Sequence, residues 1–172
     1  MTVEEARNKA VENFTGGFNC AQSVFAVFAE MAGIDRNTAL KISQGFGGGM
    51  GRQREVCGAV SGMILALSSF EGTENPSDKE TKDRLYQTVQ ELCQKFRQKN
   101  CSIVCRELLG LVPVGQSEDA FKNKTPIEHV AENPVSEERT SEYYKKRPCS
   151  ELCADASEIL CEWINEFSSR NQ

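Results

Sequence analysis

An all-α fold, a single-domain helical bundle of about six helices spanning residues 1–172, is what this chain predicts, and three observations carry the prediction. Apolar residues recur at three- and four-residue spacing along most of the length. No stretch alternates polar and apolar convincingly enough for a strand, and no internal repeat is present. Glycine, proline and short polar residues fall where helices would start and stop.

Val3, Ala6, Ala10 and Phe14 mark a first short helix, and Cys20, Val24, Val27, Phe28 and Met31 a second, with Asn19 as a good N-cap and Gly33 closing it. A third is expected from about Asn37, read as its N-cap, through Leu40 and Ile42 to the glycines that begin at Gly45. Val56, Val60, Met63, Ile64 and Leu67 then mark a fourth, whose apolar character predicts burial. Ser77 with Glu80 three residues later reads as a capping box for a long helix carrying Leu85, Val89, Leu92 and Phe96 on one face. A helical run from about Cys101 to Leu109 stops at Gly110. Residues 111–147 are polar and proline-containing, and are read as an irregular arm or surface flap with a turn of helix near 127–132. Pro148 suits the first turn of a last helix, in which Leu152, Ala156, Ile159, Leu160, Trp163, Ile164 and Phe167 form a broad apolar face.

Charge and hydropathy remove several function classes. The net charge is −5 and the isoelectric point about 5.1, which points away from nucleic acid. No apolar run approaches the ~18 residues of a membrane span. The opening MTVEEARNKAVENF lacks the apolar stretch of an export signal, so a cytoplasmic location with reduced thiols is expected. Eight cysteines among 172 residues lie well under the roughly 8–10% of disulfide scaffolds. In a reducing compartment such cysteines bind metal, carry redox chemistry, or sit buried as small apolar side chains.

The densest candidate segment is GFGGGMGRQREVCGAVSG, from Gly45 to Gly62. Gly45, Gly47, Gly48, Gly49 and Gly51 form a loop able to bring bare backbone close to a ligand, ahead of a helix whose amino end favours negative charge. Neither the GK[ST] of a phosphate loop nor a GxGxxG follows, which leaves a tight helix connection as the bland alternative. Gly58, Ala59, Ser61 and Gly62 likewise allow a neighbouring helix to come close. Cys57 follows Arg52 and Arg54, Cys20 follows Asn19, and Cys149 follows Lys145, Lys146, Arg147 and Pro148. Helix amino ends and cationic neighbours lower a thiol pKa and raise metal affinity, so thiolate character is expected at these three. Cys93 and Cys161 fall within apolar helical faces and read as inert core residues. The pairs Cys101/Cys105 and Cys149/Cys153 are four apart, each on one face of a helix, and two such pairs can supply four thiolates to zinc or to an iron–sulfur cluster. His129, the sole histidine, gives Cys/His zinc patterns and histidine catalysis little support, and the carboxylates read as solvated helix faces.

GGFNCAQSV around Cys20, GFGGGMGR, CGAVSG at 57–62, CRELLG at 105–110 and Cys149 ahead of the last helix together resemble the C_GCAxxG_C_C family of redox-active proteins, over about residues 14–160. The resemblance implies a mainly helical domain of bacterial or archaeal type with a metal or iron–sulfur site formed by Cys20, Cys57, Cys105 and Cys149, beside the glycine loop. Related domains are similar to part of split-Soret cytochrome c, which implies electron transfer with a redox partner protein and a homodimer. In one departure from the family pattern, Gly58 follows Cys57, whereas the family name places glycine before cysteine. Cys101 and Cys153 are additions able to replace or supplement a ligand. Three functions compete: an iron–sulfur electron-transfer protein, a metal-free thiol–disulfide oxidoreductase, and a structural zinc interaction module.

Overall fold

The computed structural model describes residues 1–115 and 134–170, and within them the fold is all-α. The helices are α1 (Val3–Thr15), α2 (Cys20–Phe28), α3 (Arg36–Ser43), α4 (Gly47–Met50), α5 (Gly58–Glu71), α6 (Lys79–Asn100), α7 (Cys105–Leu108), α8 (Ser141–Lys146) and α9 (Cys149–Arg170). The only bridge of β type among the described residues pairs Val56 with Val104. No helix is long and apolar enough to cross a membrane. The predicted turn near 127–132, with His129, lies outside the described residues.

Capping explains where the first helices begin. Thr2 and Glu5 form a reciprocal capping box on α1, and Asn19 does the same with Gln22 on α2. Two caps differ from expectation by one or two residues. Asp35, not Asn37, caps α3 by accepting from the amides of Asn37 and Thr38, and Asp78, not Ser77, caps α6 by accepting from Thr81. A carboxylate satisfies the orphan amides and the positive helix end together, so it wins over a neutral neighbour. The arm also contains an unforeseen helix: Thr140 accepts from the Tyr143 amide and starts α8.

Around the central α2 pack α1, α3, α5 and α9, and α6 closes the far side against α5 and α9. Phe14, Phe25, Phe28 and Phe96 are each at most 1% exposed, and burying a side chain of that size stabilises by roughly 1.5–3 kcal/mol. Cys93 and Cys161 belong to this core, as their apolar helix faces predicted. Met31 and Ile42 do not: each is half exposed, because α2 gives way to a 3-10 turn at Glu30–Ala32 and α3 turns Ala39 and Ser43 inward instead. The approach of α5 to α2 is set by glycine. A Cβ at Gly62 would lie 2.6 Å from the Ala21 carbonyl oxygen, and one at Gly58 3.1 Å from the Cβ of Cys20.

Candidate metal and redox centre

Four cysteines from four separate segments reach one cavity of about 340 Å³: Cys20, Cys57, Cys105 and Cys149 all line it. Each stands at a helix start. Cys20 is the first residue of α2, Cys57 the N-cap of α5, Cys105 the first residue of α7 and Cys149 the first of α9. Capping puts Cys20 there, since Asn19 accepts from the amides of Ala21 and Gln22 while its Nδ2 donates to the Gln44 carbonyl at 2.9 Å. Main-chain pairing puts Cys57 and Cys105 together: the Cys57 amide donates to Ile103 at 2.8 Å and the Cys105 amide to Glu55 at 2.6 Å. Arg106 adds a third bond to the Arg54 carbonyl at 3.1 Å.

Gly47, Gly48, Gly49 and Gly51 line the same cavity, whereas Gly45, expected with them, faces outward. Five consecutive residues from Gly48 to Arg52 have positive φ, so α4 is not a right-handed helix and the chain makes a left-handed turn there. Glycine is required most at Gly49, where φ is +69° and a Cβ would sit 2.7 Å from that of Cys105.

Of the other cysteines, Cys153 contacts Cys20 without lining the cavity, and Cys93, Cys101 and Cys161 stand apart. Cys101 is exposed in the left-handed position that ends α6, so it does not share a helix face with the buried Cys105. The helix expected from Cys101 begins only at Cys105. Cys153 is fully buried one turn below Cys149, and its thiol donates to the Cys20 carbonyl at 3.7 Å. All eight cysteines are unpaired.

Expected thiolate character at Cys20, Cys57 and Cys149 is overturned. Burial pushes the Cys57 thiol up to about 12, against the amides of Ala59 and Val60 at the start of α5, which close no capping hydrogen bond. Cys149 is raised by its hydrogen-bonding contact with Cys20 and then by burial, despite Arg147 and Arg54. For Cys20, contact with Cys149 favours ionisation, but contact with Cys153, burial and the neighbouring sulfurs hold it well above the usual value. Cys105 is raised by burial although Arg54 is beside it, and Cys153 is raised by burial too. A helix end contributes only about 0.3–1 kcal/mol, so burial and contact between sulfurs together outweigh it. Nor do Arg52 and Arg54 serve Cys57: Arg52 pairs with Glu137 at 3.3 Å, and Arg54 acts on Cys105 and Cys149.

The arm contributes to the cavity, which its polar sequence does not announce. Arg139, Tyr143 and Arg147 line the cavity with Glu137, Leu108, Leu109 and Leu152. Their i, i+4, i+8 spacing was the available signal, but the Lys145–Arg147 run hid it; only Arg147 of that run turns inward.

Thiol donors beside bare backbone suit a soft metal. Among the described residues, no three Cys, His, Asp or Glu side chains converge closely enough to hold a single ion. Tetrahedral zinc at about 2.3 Å per bond needs sulfurs about 3.8 Å apart, so a single zinc would require these side chains to draw together.

Taken together, fold and cavity define a class: an all-helical protein that gathers separated cysteines under a glycine turn. The chain belongs to the C_GCAxxG_C_C family, described as "Putative redox-active protein", which it matches over residues 18–163, a span containing all eight cysteines. It is also similar to an uncharacterized protein of Archaeoglobus fulgidus, 31% identical over 130 residues, covering 66% of this chain and 82% of that relative. No solved structure matches.

Proposed function

We propose that this protein is an electron-transfer protein in which Cys20, Cys57, Cys105 and Cys149 hold an iron–sulfur cluster. The observation that carries the reading is the convergence of these four cysteines, distant in sequence, on one cavity. When bound, such a cluster supplies one-electron chemistry at a potential tuned by its surroundings. The residues of the chain do the rest. Helix amino ends behind Cys20, Cys57 and Cys149 offset the charge of ligating thiolates. Leu108, Leu109 and Leu152 limit water, and the Gly47–Gly51 turn lets main chain approach the sulfurs. Anaerobically purified protein should be brown and contain iron and acid-labile sulfide. Colourless, iron-free protein after reconstitution overturns the reading.

A second reading is favoured by one observation: Cys20 contacts both Cys149 and Cys153, the arrangement a metal-free thiol–disulfide oxidoreductase would use. Raised thiol pKa values at all three weigh against it at neutral pH. A reversible disulfide in iron-free protein, mapped to Cys20, would favour this second reading. Zinc in a structural module remains the third, and requires the sulfurs to draw together.

A further inference from the structure

Arginines gather at the cavity mouth. Among the described residues lining it, Arg52, Arg54, Arg139 and Arg147 face one carboxylate, Glu137. A single oxygen of Glu137, Oε1, accepts from both Arg52 at 3.3 Å and Arg147 at 2.6 Å. Arg139 is held by other means. Its guanidinium carbon lies 4.9 Å from the ring centre of Phe14, 4.7 Å from Tyr143 and 6.0 Å from Tyr144, and its Nη2 donates to the Phe18 carbonyl at 3.3 Å. Aromatic faces fix a guanidinium in place without cancelling its charge. Its Nη1 is buried with no hydrogen-bond partner among the described residues. Arg147 also lies over Tyr143, at 4.9 Å, so two guanidinium groups share contact with one ring.

We propose that this mouth is a binding site for a small oxyanion or carboxylate, whose oxygens take the fork of Arg139 and displace Glu137 from Arg147. Planar guanidinium forks match such oxygens bidentately. The cavity of about 340 Å³ is already small for a ligand pocket, and a cluster on the four cysteines would take part of it, which leaves room for a compact anion rather than a nucleotide. Glu137, already seated between two arginines, is the internal mimic of that anion. The inference deepens the redox reading by naming the class of molecule brought to the cavity; the binding step itself needs no metal.

The test uses the 172-residue chain as purified, with its iron and zinc content recorded. It is titrated by calorimetry with sodium sulfate and, separately, with sodium malonate in chloride-free buffer of low ionic strength. Saturable one-to-one binding of at least one anion is expected; sulfate alone identifies an inorganic oxyanion, malonate alone a carboxylate. Arg139→Gln should weaken binding by about tenfold or more. Glu137→Gln, which removes the competing carboxylate, should tighten it, and the exposed control Lys82→Gln should leave it unchanged. Because Arg139→Gln also removes ring contacts, the Glu137→Gln arm decides the matter if that variant does not fold. No saturable binding of either anion, or an affinity that Glu137→Gln does not raise, overturns the proposal. Iron present without anion binding sinks this inference and spares the cluster, and anion binding by iron-free protein does the reverse.

Discussion

At Gly49 the main chain has no room for a side chain. A Cβ there would meet the Cβ of Cys105 at 2.7 Å and the Glu55 amide at 2.9 Å, at a φ of +69°. Gly49→Ala should therefore cost about 1–3 kcal/mol, read as a lowered urea midpoint, and, on the proposed cluster reading, should also reduce iron retention because the clash falls on a cavity cysteine. An unchanged midpoint would mean that the turn relaxes freely. Part of this was legible in the sequence. Five glycines between Gly45 and Gly51 announce a loop, yet nothing in them tells which face inward, and Gly45 does not. The ionisation of the thiols was illegible for a related reason. Adjacency of Arg52 and Arg54 to Cys57 in sequence invites a thiolate, but with φ of 69° and 60° both arginines belong to a turned segment that delivers them to Glu137, Cys105 and Cys149.

Helix against helix, α5 and α2 meet through Gly58 and Gly62, and that crossing positions Cys20. In an isolated helix Gly62→Ala would gain up to about 1 kcal/mol of propensity. Here its Cβ would stand 2.6 Å from the Ala21 carbonyl, a rigid main-chain atom, so overpacking of about 1–3 kcal/mol should prevail. A lower melting temperature is expected, with weaker iron retention if the proposed cluster is held, and a rise in melting temperature would refute this account of the crossing. The small residues at 58, 59, 61 and 62 made the close approach readable in advance. Caps were readable only to within a residue or two, because Asp35 and Asn37, or Ser77 and Asp78, offer rival acceptors to the same orphan amides. The role of α8 was hidden by composition: its charged sequence resembles solvated arm, and what binds it to the body is Arg139 stacked on Phe14 and the Tyr144 hydroxyl over the end of α1.

Across the whole molecule, α1, α6 and α9 are joined by one charge cluster. Arg7 meets Asp155 at 2.9 Å, Lys99 meets Asp155 at 3.0 Å, and both cations reach Glu158. Burial raises both carboxyls, but Arg7 and Lys99 prevail and hold them below their ordinary values of 3.8 and 4.5. Depressed carboxyl values place this stabilisation above the ordinary values and remove it as pH falls through the folded ones. Melting temperature should therefore drop below about pH 4, and Arg7→Gln should flatten that acid limb; identical limbs in the two proteins would exclude the cluster as its cause. The all-α class was legible because helical periodicity runs through most of the chain, whereas this cluster joins residues 148 and 151 positions apart, a separation no local pattern encodes. The short antiparallel pairing of 55–57 with 103–105 has a different reach. It fastens two of the sulfur-bearing positions to each other by peptide groups alone, so the long helical excursion between them can lengthen, shorten or change composition over evolutionary time while the span between those two donors stays the same.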